Sequence, residues 1–356
     1  MANTVARIAY VGNHGSNRLG SFQGGTRVNL NAVDLGAAYL PQNQDPTLGT
    51  STVPGATAYT SNLLRPYRGL GTVEQNTTEF YDTYHSMQFS VTRRFRSGFS
   101  FGANYTLGLS FTGNTGLVKR LQHNPDGSFS IRADQAEYEE LNKNLDMRPH
   151  FLKANAIWAT PNVPAALGRV AGHILNGWQI AGILTAGSGQ TYDLNYNYQN
   201  NGANVNMTGS PDYGARIVYI GDPGSGCSDD QYAQFNAAAV TGPRYGSVGL
   251  ESGRNIMRSC PNKIVDLALS RTIGLGSNRL LELRLDLFNA FNTVVITNRQ
   301  NELQFVSPTD LTIRNSQTLA NGQVDPARLT PRTAGFGAAT NALAMRSTQL
   351  QFRFRF

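Results

Sequence analysis

The chain closes on R-S-T-Q-L-Q-F-R-F-R-F, residues 346–356. Thr348, Leu350, Phe352, Phe354 and Phe356 alternate with Ser347, Gln349, Gln351, Arg353 and Arg355. A strand sends successive side chains to opposite faces. One face is therefore apolar and aromatic, the other polar and cationic. At the open edge of a soluble sheet this pattern invites aggregation. In a bilayer it is what a barrel strand requires, apolar toward lipid and polar toward the lumen.

Seven other segments carry the same period of two. They cover about 4–11, 82–95, 99–111, 150–159, 177–193, 263–273 and 279–288. The cleanest sets Phe99, Phe101, Ala103, Tyr105, Leu107, Leu109 and Phe111 against Ser100, Gly102, Asn104, Thr106, Gly108 and Ser110. Leu281, Leu283, Leu285 and Leu287 fall on no single helical stripe, so 279–288 is predicted as a strand. Its other face carries Glu282, Arg284 and Asp286, three charges that need water.

The connections alternate in length. Arg96-Ser97-Gly98 and 274–278 read as tight turns and 160–176 as a moderate link, while 12–81, 112–149, 194–262 and 289–346 are long. Short turns on one side and long loops on the other is the outer-membrane barrel arrangement. With the C-terminus in the periplasm, every long loop falls outside. Within 112–149, Asn124-Pro125-Asp126-Gly127 signals a turn, and 133–142 reads as a short acidic helix.

Composition agrees. Charged residues are only 15% and mean hydropathy is −0.32. No stretch approaches the ~18 apolar residues of a membrane helix, which does not exclude strands that cross. The net charge of +7 raises nucleic acid as a partner, but the cations are scattered, with no run longer than Arg93-Arg94, and none is expected. The five histidines are far apart, and no nucleophile elbow, phosphate loop or dinucleotide turn stands in context. No enzyme activity, catalytic residue, cofactor or metal is expected. Asp212, Asp222, Asp229 and Asp230 lack the spacing of a calcium loop. Cys227 and Cys260 are either two unrelated thiols or a disulfide within one outer loop. Met1 leads almost straight into a strand without a signal peptide, which suggests a C-terminal piece of a longer protein.

Several segments then resemble, in order, the C-terminal barrel part of Oar-like TonB-dependent outer-membrane receptors. Tyr10-Val11-Gly12-Asn13-His14-Gly15 is similar to a Y-V-G-x-x-G strand end. Arg65-Pro66-Tyr67 precedes Tyr84 to Phe95, which is similar to Y-x-x-L-Q-x-x-x-x-R-R-F. Gly98-Phe99-Ser100-Phe101 with Tyr105-Thr106 continues it, and Asp146-Met147-Arg148-Pro149-His150 resembles a D-x-R-H strand entry. Gly177-Trp178 with Gly182-Ile183 and Ser188-Gly189-Gln190 resembles G-W-x-x-x-G-I…S-G-Q. Phe235-Asn236 with Ala238, Gly253-Arg254-Asn255 with Asp266 and Ser270, and Leu285 to Asn292 complete the series before the aromatic end.

The resemblance implies a plugged barrel of ~22 strands, energised by an inner-membrane motor protein through a TonB box. On this reading, residues 1–356 form an all-β, antiparallel transmembrane β-barrel portion, about eight strands of the larger barrel, with the plug and earlier strands absent. The expected partners are outer-membrane lipid, the barrel-assembly machinery, an unidentified solute, and the motor protein only through the absent N-terminal part. Glu282, Arg284, Asp286, Arg353 and Arg355 are candidate lumen-wall charges, which either line a solute path or pair with one another. Leu350, Phe352, Phe354 and Phe356 are the candidate insertion signal. The alternatives are a self-contained eight-stranded outer-membrane barrel with a structural or adhesive role, and a secreted soluble β-rich carbohydrate-binding or enzymatic domain with a dry core under the Phe99–Phe111 face.

Overall fold

The computed structural model describes residues 3–18, 27–76, 78, 80–114, 121–123, 129–131, 147–164, 168–200, 203–204, 207–276 and 279–356. Its main element is one eight-stranded antiparallel sheet. The strands are β1 (Thr4–Arg18), β2 (Phe80–Arg96), β3 (Phe99–Asn114), β4 (His150–Ala159), β5 (Trp178–Gly187), β6 (Asn262–Gly274), β7 (Leu280–Phe288) and β8 (Ser347–Arg355). Each pairs with the next in chain order, so the sheet is a simple meander. Among the described residues β1 and β8 are its two edges, and the sheet is not closed.

Register decides what the sheet presents. Ile8 stands opposite Phe89, Phe89 opposite Tyr105, and Tyr105 opposite Leu152. Farther along, Ala154 faces Leu184, Leu184 faces Val265, Leu269 faces Leu285, and Leu285 faces Leu350. The alternating apolar set of each strand therefore lies on one face. The other face is mostly polar, carrying Gln88, Thr106, Lys153, Asn155, Asp266, Ser270, Arg284 and Gln351, with Phe151, Ile183 and Ile264 interspersed. A slip of one residue anywhere would break both faces at once.

The apolar face has the height of a membrane. Phe99 to Leu109 rises about 33 Å along β3, and tilting by ~40° brings that to about 25 Å, the usual apolar band. Polar-tipped rings mark one rim, where the Tyr10 hydroxyl meets His85 Nδ1 at 2.6 Å and the Tyr105 hydroxyl meets His150 Nδ1 at 2.7 Å. At the other rim the guanidinium of Arg93 lies over Phe99, 5.6 Å from the ring centre, and that of Arg271 lies over Trp178 at 5.4 Å. Long cationic side chains at the band's edge reach for water while their stems stay apolar.

The short connections sit at the Phe99 end. Ser97 and Gly98 take φ of 54° and 79°, the left-handed pair that a two-residue hairpin needs. The moderate link contains a helix, α1 (Gly168–Leu175), that the sequence reading left as plain connection. No helix among the described residues is long and apolar enough to cross a membrane.

Two strand boundaries differ from expectation. β1 runs on to Arg18 rather than ending near residue 11. Beyond the apolar band its partners are polar: His14 Nδ1 lies 3.0 Å from the Thr83 hydroxyl, and Arg18 pairs with Asp82. Hydrophobic alternation cannot reveal such a stretch. The segment 177–193 is broken after Gly187, and Thr191–Tyr192 pairs instead with Met257–Arg258. Gly189 lets the 257–260 segment approach at the break, because a Cβ there would stand 1.7 Å from the Ser259 carbonyl oxygen. The stretches 124–127 and 133–142 lie outside the described residues.

The dry core lies in the long connections, not under the sheet. Leu194, Tyr198, Met207, Ile217, Phe235, Val240, Met257, Leu303, Phe305 and Phe336 form one buried cluster. The strand Asn195–Asn200 runs parallel to Glu302–Phe305, joining the 194–262 and 289–346 connections. The 30–73 connection is fastened to the same body through Asp212. Its carboxylate takes Arg65 Nη1 at 3.0 Å, the Val33 amide at 2.9 Å and Asn29 Nδ2 at 3.0 Å. Both charged side chains are largely buried, at 8% and 16% exposure. Removing one partner of such a pair strands the other. Asp212→Ala is expected to destabilise the loop body by about 3 kcal/mol. The measurement is denaturant unfolding together with trypsin cleavage after Arg68, which should accelerate in the variant.

Candidate functional site

The loop body encloses a half-open cavity of about 630 Å³. Two small strands set its walls. Tyr198 is fully buried, stacks on Phe305 with ring centres 5.0 Å apart, and donates to the Pro243 carbonyl at 2.8 Å. That anchoring holds Asn195 and Tyr196 of the same strand, and Asp193 just before it, at the cavity. Val218–Tyr219 pairs with Val240–Thr241, which brings Tyr219 to the opposite part of the lining.

The polar groups are positioned by specific bonds. Arg216 Nη1 donates to the Ser252 carbonyl at 2.7 Å, and the Arg216 amide donates to Glu251 Oε2 at 3.0 Å. Asp193 Oδ1 accepts from the Asn255 amide, and the Asp193 carbonyl from Asn301 Nδ2 at 2.7 Å. Arg254 also lines the cavity, half-buried, with no hydrogen bond or ion pair to another described residue. The same holds for the Tyr196 and Tyr219 hydroxyls. Burial pushes both phenols well above the ordinary range, helped for Tyr196 by Glu251 and for Tyr219 by Asp193. They are hydrogen-bond donors at any physiological pH.

Neighbouring groups fix the body rather than open it. The Arg299 guanidinium lies 4.4 Å from the centre of the Tyr192 ring, and burial lowers its pKa. Cys227 and Cys260 are joined by a disulfide, with Cα atoms 4.6 Å apart. Asp222 and Asp230 accept from backbone amides two residues on, as turn formers do. Among the described residues no cluster of His, Cys, Asp or Glu could hold a metal.

The lumen-wall candidates all lie on the polar face of β7 and β8. Arg284 Nη2 pairs with Asp286 Oδ1 at 2.9 Å, and Arg355 Nη2 with Glu282 Oε2 at 3.4 Å, while Arg353 stands opposite Glu282 in register. Leu350, Phe352, Phe354 and Phe356 are exposed on the apolar face, with the last two rings stacked 6.0 Å apart. None of these nine residues lines the cavity. Of the cavity residues, Gly253 and Arg254 stand in a sequence motif, whereas Tyr196 and Tyr219 lie in stretches too short to mark a strand by pattern.

A family model for the outer membrane beta barrel domain matches residues 1–349. The chain belongs to that family. No curated protein and no solved structure matches it. The protein is therefore an outer-membrane β-barrel protein of the bacterial outer membrane. The apolar face of the sheet meets lipid, and its polar face is turned from lipid.

The buried phenols give the loop body a pH limit. Tyr39, Tyr192 and Tyr198 are each pushed up to about 12, chiefly by burial. A raised folded pKa means that the folded state holds the proton more tightly than the unfolded chain. This stability is complete below pH ~10 and is lost as pH rises toward 12. Ultraviolet titration is expected to show delayed tyrosinate formation, with loop-body unfolding between pH 10 and 12. Full ionisation near pH 10 with the fold intact would contradict it.

Proposed function

We propose that the chain is the C-terminal part of the barrel of an Oar-like TonB-dependent receptor, which contributes to solute uptake across the outer membrane and is not an enzyme. The observation that carries this reading is the open sheet. β1 and β8 are both edges. In lipid an unpaired backbone group costs several kcal/mol, so spanning sheets do not keep edges. Further strands between β8 and β1 satisfy both. The folded body on the long loops adds support, since a compact outer cavity suits solute capture. On this reading, a motor protein acts through a plug ahead of these strands, and Glu282, Arg284, Asp286, Arg353 and Arg355 keep the lumen wall hydrated.

A cysteine scan tests the closure. With Ile8→Cys on β1, cysteines placed in turn at Thr348, Leu350, Phe352 and Phe354 are expected to give no cross-link within one folded chain. Efficient cross-linking at any of them means that eight strands close alone and sinks the larger-barrel reading.

The aromatic end also serves as the segment read by the barrel-assembly machinery. Deleting Phe356 is expected to lower outer-membrane insertion severalfold, followed by heat-modifiable mobility and surface protease resistance. Unchanged insertion removes this role and leaves Phe356 as lipid contact only.

A further inference from the structure

We propose that the loop cavity binds a saccharide bearing a single carboxylate, with Arg254 taking the carboxylate and Tyr196, Tyr213 and Tyr219 taking the sugar ring. This deepens the uptake reading and rests on it for the fate of the ligand, whereas binding itself is measurable apart from transport.

Size and wall chemistry narrow the class. About 630 Å³ lies within the ~300–1,000 Å³ of small-molecule sites. Two arginines, a carboxylate and three phenols line it, so a purely apolar ligand would bury polar groups unpaired. The charges select further. Arg216 is held on the Ser252 carbonyl, which leaves Arg254 as the cation open to a ligand. A guanidinium grips a carboxylate through two parallel bonds. Asp193 disfavours a second negative charge, so a polyanion is excluded, and its Oδ2 can accept from a sugar hydroxyl.

The tyrosines suit the remainder of such a ligand. Their faces cover the C–H surface of a pyranose, and the hydroxyls of Tyr196 and Tyr219 lack protein partners among the described residues. Rings built on anchored strands keep little freedom to lose on binding. Tyr196 lies 5.2 Å from the buried Tyr198 ring.

The test uses the full chain folded in detergent micelles, with the Cys227–Cys260 bond intact. Calorimetry and saturation-transfer NMR compare three matched pairs: the methyl glycosides of glucuronate, galacturonate and mannuronate against those of glucose, galactose and mannose. At least one uronide is expected to bind about tenfold more tightly than its neutral partner. Arg254→Gln should erase that preference, Arg254→Lys should keep part of it, and Tyr219→Phe should weaken both members of the pair a fewfold. No binding by any probe, equal binding within every pair, or a preference that survives Arg254→Gln overturns the proposal. Binding without energy-dependent uptake in cells overturns the uptake reading alone. Uptake of an unrelated solute without uronide binding overturns this inference alone.

Discussion

Everything in the molecule hangs on backbone hydrogen bonding across one continuous sheet. A bilayer offers no water to a bare amide, so each spanning segment must find its donors and acceptors in a neighbour. The meander does this locally, each strand pairing with the next in the chain. Pairing alone would tolerate many registers. Lipid removes that freedom, because a one-residue shift of β7 against β8 would turn Glu282, Arg284 and Asp286 toward hydrocarbon beside Leu350 and Phe352. The alternation of each strand and the alignment between strands are thus one constraint.

That constraint divides burial between two solvents. The sheet's apolar residues are uncovered by protein on that face, from 37% exposure at Phe89 on an inner strand to 70% at Ile8 on an edge strand, and lipid covers them. Water-driven burial happens elsewhere, in the cluster around Tyr198, Met207, Leu303 and Phe305. Fully burying such a side chain contributes about 1.5–3 kcal/mol. The loops therefore form a small soluble-type structure of their own, with a disulfide, a buried Arg65–Asp212 pair and strands too short to stand alone.

This division explains what the sequence revealed. All eight spanning strands were legible, because a strand wet on one face and oily on the other writes a period of two. β4 is found at His150–Ala159, where the alternation placed it. The outer half of β1 was not legible, since Asn13, His14 and Arg18 pair through polar side chains above the lipid. The loop body was illegible for another reason. Its core comes from residues as distant as Leu194 and Phe336, held in two- to six-residue strands too short for their pattern to stand out; the alternation of Leu194, Tyr196 and Tyr198 ends there. Arg254 stood out within a motif, but nothing local could place it in one cavity with Tyr219.

The two polar surfaces differ in how their charges are spent. On the sheet, Asp286 is matched by Arg284, and Glu282 by Arg355 with Arg353 opposite in register. Both carboxylates of that surface are matched, with Arg353 in excess beside them. In the loop cavity Arg216 is held by a carbonyl and Asp193 by an amide, while Arg254 has no partner among the described residues. An unmatched cation beside unpaired phenols gains most from a ligand that supplies the missing acceptors, because discrimination arises where the site's own polar groups would otherwise stay unsatisfied. On the proposed uptake reading, selectivity belongs to the folded loops, and the barrel wall needs only to stay wet.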